Sequence, residues 1–257
     1  MTESKLQFFS RAEIDAFRRD GFVMVKGLFD PAAMGQVTAW TDEVEAYPEA
    51  PGKYMKYFEE SQARQNQRLL NRLENFVPFH GSLDALTQSP AVLGRVGELF
   101  GEPAVLFKDK INFKLPGGGG FEPHQDAQAG WDDYAKLFIT VLVSIDRATL
   151  DNGCLEVAAG HHNRGLIGQL WRPLQGDELK GMDFKPYPTE PGDAIFFDSF
   201  APHQSAPNLS DTRRRVLYLT YNRLSEGDHR AQYYADKRKN YPPDCEREPG
   251  KVYAYKV

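Results

Sequence analysis

Through its first hundred residues the chain spaces apolar side chains as helices do, and from residue 104 onward it gathers them into short runs. Ser10 and Glu13 form a capping box that opens a short helix with Ile14 and Phe17 on one face. Asp20-Gly21 ends it, and Phe22 to Val25 reads as a strand. Asp30 as N-cap and Pro31 at the first helical position predict a second helix. Residues 47–72 are polar and give no assignment, although Tyr54, Tyr57 and Phe58 lend them aromatic weight. A third helix is expected within 84–100 from Leu86, Val92, Leu93, Val96 and Leu99, with Gly101 at its end.

The stretches 104–115, 137–145, 194–197 and 215–221 are rich in Val, Ile, Phe, Tyr and Thr, and Gly, Pro, Asn and Asp clusters separate them. Residues 231–239 read as a charged helix running into Tyr241-Pro242-Pro243. Helices followed by short strands predict a mainly β fold with a helical N-terminal part, a barrel or jelly roll braced by α-helices. One domain is expected over 1–257, with a helical part to about 103, a β core to about 224 and a tail beyond it.

Composition narrows the function classes. The 257 residues are 41% hydrophobic and 12% aromatic, enough for a large core, and the net charge of -5 offers nothing to nucleic acid or an anionic membrane. Two cysteines outside any CxxC pair argue against a disulfide scaffold or a thiolate zinc site. With no apolar leader and no run of membrane-spanning length, a cytoplasmic location is expected.

Candidate chemistry gathers around Gly117-Gly118-Gly119-Gly120-Phe121-Glu122-Pro123-His124-Gln125-Asp126, a flexible glycine run delivering His124 and Asp126 to one place. Residues two apart on an extended backbone share a face, so both can reach one metal ion. His203, just past the apolar run 194–197 that Pro191-Gly192-Asp193 introduces, is the candidate third ligand. Two imidazoles and a carboxylate with open positions suit a non-haem Fe(II) oxygenase. The competing reading is a surface loop whose His and Asp are merely solvated. Arg213-Arg214-Arg215 then opens an apolar strand, and alternation turns inward either Arg214 or its two neighbours. A buried Arg needs an anion, and a dicarboxylate would serve.

These residues together resemble the phytanoyl-CoA dioxygenase family of Fe(II)/2-oxoglutarate oxygenases. The likeness rests on His124-x-Asp126, the distant His203 and Arg214 eleven residues later. It also rests on Asp146 with Asp151-Asn152-Gly153-Cys154-Leu155, on Ala159-Gly160-His161-His162, on Pro191-Gly192-Asp193 and on Phe22-Val23. The resemblance implies a double-stranded β-helix (jelly roll) in which His124, Asp126 and His203 bind Fe(II) and Arg214 pairs with the distal carboxylate of the co-substrate 2-oxoglutarate. His162 is expected to be structural. Lys108 and Asn112, four residues apart on one strand face, either contact the keto acid or stand in water. Thr140 either hydrogen-bonds the co-substrate or is an ordinary strand residue, and Ser205 is a further co-substrate candidate.

Within the family the chain is most similar to bacterial phosphonate hydroxylases, through residues 108–112, 116–119 and 124–127 and through Ser225-Glu226-Gly227-Asp228-His229. The implied reaction is C1-hydroxylation of a 2-aminoethylphosphonate-type zwitterion, N-methylated forms included, with dioxygen consumed and succinate and CO2 released. A zwitterion needs donors for its phosphonate and carboxylates or rings for its ammonium. Arg68, Arg72, Glu74, Asn75, Tyr54, Trp131 and Tyr134 are the candidates. The rival readings are a hydroxylase of another small molecule or an acyl-CoA, a cupin-like metalloenzyme needing no keto acid, and a ligand-binding jelly roll without chemistry.

Overall fold

The computed structural model describes residues 7–253. Helix α1 (Arg11–Asp20) opens with the expected capping box, the Glu13 carboxylate accepting the Ser10 N–H at 2.7 Å, and ends on Gly21 at φ 84°. Strand β1 (Phe22–Val25) leads to α2 (Pro31–Ala46), whose first turn is capped by Asp30. Strands β2 (Met55–Glu60) and β3 (Arg68–Glu74) form a hairpin in the stretch that gave no assignment. Its polar residues hid it: Arg72 and Glu74 are buried and paired with each other rather than facing water.

The helix expected within 84–100 is broken in two. Helix α3 (Gly81–Thr87) stops, and α4 (Arg95–Phe100) follows a π-helical turn over Pro90–Gly94. Pro90 has no N–H and holds Ser89 extended, at φ -62° and ψ 146°, so one helix cannot pass through. The remaining elements are β4 (Ala104–Lys114), β5 (Phe121–His124), β6 (Phe138–Ser144), β7 (Leu155–Ala158), β8 (Phe184–Tyr187), β9 (Ala194–Asp198), β10 (His203–Ser205), β11 (Arg214–Arg223) and α5 (Arg230–Asn240).

The strands make two antiparallel sheets, ordered β1-β9-β6-β11-β4-β3-β2 and β5-β10-β7-β8, the double-stranded β-helix. The N-terminal part is therefore not only helical, since it gives three strands to the large sheet. Alternation divides the core. Leu217, Leu219 and Tyr221 pack with Ile111 and Phe113 against Ile14, Phe17, Met34 and Val96 of the helices. Val216 and Tyr218 point the other way, toward Leu155 and Val157 of the small sheet. No helix among the described residues is long and apolar enough to cross a membrane.

Asp109, outward on β4, ties α5 to the large sheet. Its buried carboxylate accepts the N–H groups of Phe76 at 2.7 Å and Val77 at 3.1 Å, pairs with Arg230, and accepts from the Tyr234 hydroxyl at 3.1 Å. Asp109→Asn leaves the Arg230 cation without its partner, and breaking a buried pair costs about 3 kcal/mol or more. The variant is expected to melt well below the wild type, with amide exchange in α5 accelerated first.

Candidate metal centre and co-substrate pocket

His124 ends β5, His203 begins β10, and the two are direct partners across the antiparallel pair. Their ring centres lie 4.3 Å apart. The Nδ1 of His124 donates to the Glu122 carbonyl at 2.7 Å and that of His203 to the Ala201 carbonyl at 3.0 Å. A carbonyl can only accept, so each Nδ1 carries the proton and each Nε2 keeps its lone pair. Asp126, in the turn after β5, brings an oxygen to 4.0 Å from His203 Nε2, and the ligand atoms of the three residues all lie within 4.8 Å of one another.

The intervening residue holds this turn in place. Gln125 is buried, donating from Nε2 to the carbonyls of Gly165 (2.8 Å) and Phe200 (2.6 Å) and accepting the Ile167 N–H (2.7 Å). Thr140 donates to the second Asp126 oxygen at 3.1 Å and accepts from Thr220 at 2.9 Å. The glycine run expected to be flexible is packed instead. Gly119 donates to Glu59 at 3.1 Å, and a Cβ on Gly120 would lie 2.6 Å from the Ser205 carbonyl, so only glycine lets β5 approach β10 so closely.

Electrostatics suit a divalent ion. Burial, with His203 beside it, pushes His124 down to about 3, and burial likewise lowers His203, so both rings are neutral at neutral pH. Burial alone would raise Asp126, but His203 and Lys110 outweigh it and hold the carboxylate below its ordinary range. Two neutral imidazoles and one ionised carboxylate, converging from one side, form a donor set that fits Fe(II).

Arg214 and Lys114 are cross-strand partners and form the cationic end of the site. The Arg214 guanidinium is buried, bonds Tyr218, and leaves its Nε without a hydrogen-bond partner. Lys114 donates to Ser205 Oγ at 2.7 Å and to the Ala206 carbonyl at 2.5 Å. Burial, then the adjacent Arg214, pushes it down to about 6. An orphaned guanidinium edge beside the Lys114 donor fits the distal carboxylate of a diacid. The neighbours of Arg214 are matched internally: Arg215 is bidentate to Asp146 at 2.9 and 3.0 Å and also meets Asp42, while Arg213 pairs with Asp42 and Glu45 outside.

Of the other residues singled out in the sequence, Lys108, Asn112, Thr140, Ser205 and Trp131 line the cavity with the triad. Arg72 lines an adjoining opening, and Glu74 is buried against Lys237 at 2.5 Å. Four substrate candidates do not line the cavity and are engaged elsewhere. Arg68 is exposed and paired with Glu49 at 2.8 Å. Asn75 takes a positive φ and accepts from Arg230, Tyr54 donates to the Pro48 carbonyl, and Tyr134 donates to Asp236. His162 donates or accepts nothing at the site: it packs on Gly21 and contacts the Arg18 carbonyl.

Sequence reading missed Lys110, Tyr218 and Thr220, which also line the cavity, and Lys114 beside them. Alternation from Lys108 and Asn112 marks Lys110 and Lys114, and alternation from Arg214 marks Tyr218 and Thr220. Burial, with Lys108 next, pushes Lys110 down to about 7.

Comparison with known proteins bears directly on this arrangement. The phytanoyl-CoA dioxygenase (PhyH) family model matches residues 17–216, a span holding all three ligands and Arg214. The chain belongs to the phytanoyl-CoA dioxygenase family. This PhyH protein is an Fe(II)- and 2-oxoglutarate-dependent dioxygenase. It is 42% identical over 250 residues to the 2-aminoethylphosphonate dioxygenase of an uncultured bacterium, covering 97% of this chain and 95% of that one. It is 37% identical to the methylphosphonate hydroxylase of Gimesia maris, covering 90% and 87%. Among solved structures, EctD from S. alaskensis with 2-oxoglutarate and 5-hydroxyectoine shares the fold at a TM-score of 0.73 and 18% identity, over 87% of this chain and 79% of that one.

The buried imidazoles carry a pH signature. An unfolded chain protonates histidine near pH 6.5, whereas the fold holds His124 neutral down to about 3. The unfolded state therefore binds more protons between those values. The stability is complete above the unfolded pKa and is lost as pH falls toward the folded one. The melting temperature of the metal-free PhyH protein is expected to fall through this window, and less steeply in His124→Asn. Equal slopes for both proteins would show that His124 is not held neutral.

Proposed function

We propose that this PhyH dioxygenase hydroxylates the carbon next to phosphorus in a small phosphonate, a 2-aminoethylphosphonate-type zwitterion or its N-methylated form. The observation carrying this reading is the row of Lys108, Lys110 and Asn112 facing His124, Asp126 and His203 across one cavity, in a chain 42% identical to a 2-aminoethylphosphonate dioxygenase. Cations in so enclosed a space are costly without an anion, and a phosphonate brings up to two negative charges. A single cytoplasmic domain, with no nucleic-acid or membrane partner, belongs to the same proposal.

In this reading the Nε2 atoms of His124 and His203 and one oxygen of Asp126 would hold Fe(II). When bound, the metal would let dioxygen react, one oxygen atom going to the decarboxylation of 2-oxoglutarate to succinate and CO2 and the other to hydroxylation of a substrate C–H bond. The residues of the chain position the reactants. Arg214 takes the distal carboxylate of 2-oxoglutarate in a charge-assisted pair, with Ser205 and Lys114 beside it. Thr140 donates its hydroxyl hydrogen bond to Asp126 and orients that carboxylate. Lys108 and Asn112 offer donors on the open side of the site, and Trp131 walls it against water.

Succinate formation is the assay, run with 2-aminoethylphosphonate, its N-trimethyl form, methylphosphonate and an acyl-CoA ester, with and without iron and 2-oxoglutarate. Turnover is expected with phosphonates and only when both iron and keto acid are present. Turnover of the thioester alone would overturn the substrate reading. Arg214→Ala is expected to weaken 2-oxoglutarate binding by about 10- to 150-fold, the loss of one or two hydrogen bonds to a charged group. Unchanged 2-oxoglutarate affinity would remove Arg214 from this role.

A further inference from the structure

Lys110 occupies the middle of the inward face of β4, between Lys108 and Asn112. Its ammonium lies 4.6 Å from the centre of the Tyr218 ring, its partner across the β4–β11 pair. Among the described residues no carboxylate accepts a hydrogen bond from it, and its partly exposed side chain faces the cavity. A ring face holds an ammonium in place without neutralising it.

The charges that catalysis requires already cancel without Lys110. Ferrous ion carries two positive charges and Arg214 one, while Asp126 carries one negative and 2-oxoglutarate two. A ligand filling the rest of the cavity therefore meets the Lys110 ammonium as positive charge beyond that balance, with Lys108 on the same face. A neutral or purely cationic substrate would leave that cation enclosed and uncompensated, which is unfavourable. A tetrahedral oxyanion would match it and reach the Asn112 amide on the same face.

We propose that Lys110 is the substrate's anion anchor: it receives the phosphonate oxygens and so sets the enzyme's requirement for an anionic group on the carbon to be hydroxylated. The assignment rests on the phosphonate reading above and deepens it. Tyr218 serves as the rest position for the ammonium, while Arg214 and Lys114 at the other end remain with the co-substrate. Selection then falls on the charged head, and the amine end is left to other contacts.

The test is calorimetric titration of 2-aminoethylphosphonate into anaerobic ferrous protein saturated with 2-oxoglutarate, comparing the wild type with Lys110→Met and Lys110→Arg. Lys110→Met removes an enclosed charge and keeps the length of the side chain, so its melting temperature is expected to match or exceed that of the wild type. It is expected to bind the phosphonate about 10- to 150-fold more weakly, with 2-oxoglutarate affinity unchanged. Lys110→Arg is expected to retain most of the phosphonate affinity, and it carries the comparison should the Met variant fail to fold. Phosphonate binding by Lys110→Met equal to wild type overturns the assignment alone, as does a parallel loss of 2-oxoglutarate affinity. Wild-type protein that binds no phosphonate overturns the substrate reading and this assignment together.

Discussion

The pairing of His203 with His124 across β5 and β10 is the constraint on which the site depends. A strand's side chains alternate faces, so a slip of one residue would turn both imidazoles away from Asp126. Short strands specify register weakly by themselves, and β10 has only three residues. The register is fixed from outside the strands. Gly120 admits the Ser205 carbonyl where any side chain would strike it, and the Gln125 amide is bonded at both ends to loops that pack over the turn. The convergence of His124, Asp126 and His203 thus depends on an amide and a glycine that carry no chemistry.

The same alternation separates charge from core on the large sheet. On β4, Lys108, Lys110 and Asn112 face the cavity and Lys114 lies beside it against Ser205, while Asp109, Ile111 and Phe113 face the helices. On β11, Arg214 faces in and Arg215 faces out toward Asp146 and Asp42. The outward charges are matched within the protein, and the inward ones are matched only in part. That imbalance is the physical sign of a site for anions, because the fold tolerates buried cations only where a ligand or a neighbour completes them.

The convergence of His124, Asp126 and His203 and the inward turn of Arg214 were legible in the sequence because each rests on local spacing or on alternation within one strand. The jelly roll was legible from strand texture for the same reason. The β2–β3 hairpin was not, since its charged residues satisfy one another in the interior and so mimic a solvated loop. Apolar periodicity on both sides of Pro90 masks the break there. Residues of the cavity wall were the least legible. Arg68 and Tyr54 carry the right chemistry, but whether a charge or ring reaches the cavity depends on strand order, and β2 lies at the edge of its sheet.

Strand order also separates the common chemistry from the wall beside it. The family match ends at residue 216, after the ligands and Arg214, whereas α5 lies beyond it. From α5, Lys237 reaches the buried Glu74, and Tyr233 packs 4.5 Å from Phe107 and near the Lys108 ammonium. Burial alone would drive Glu74 to take up a proton, but Lys108, Lys237 and Arg72 outweigh it and keep the carboxylate ionised. Glu74 therefore binds α5 to β3 and acts electrostatically on Lys108, which lines the cavity. A change in α5 would alter the electrostatics of that side while leaving His124, Asp126 and His203 in place. In this fold the His124, Asp126 and His203 cluster and the Lys108 wall of the cavity can vary independently, because β5 and β10 hold one and a helix clamped through Asp109 supports the other.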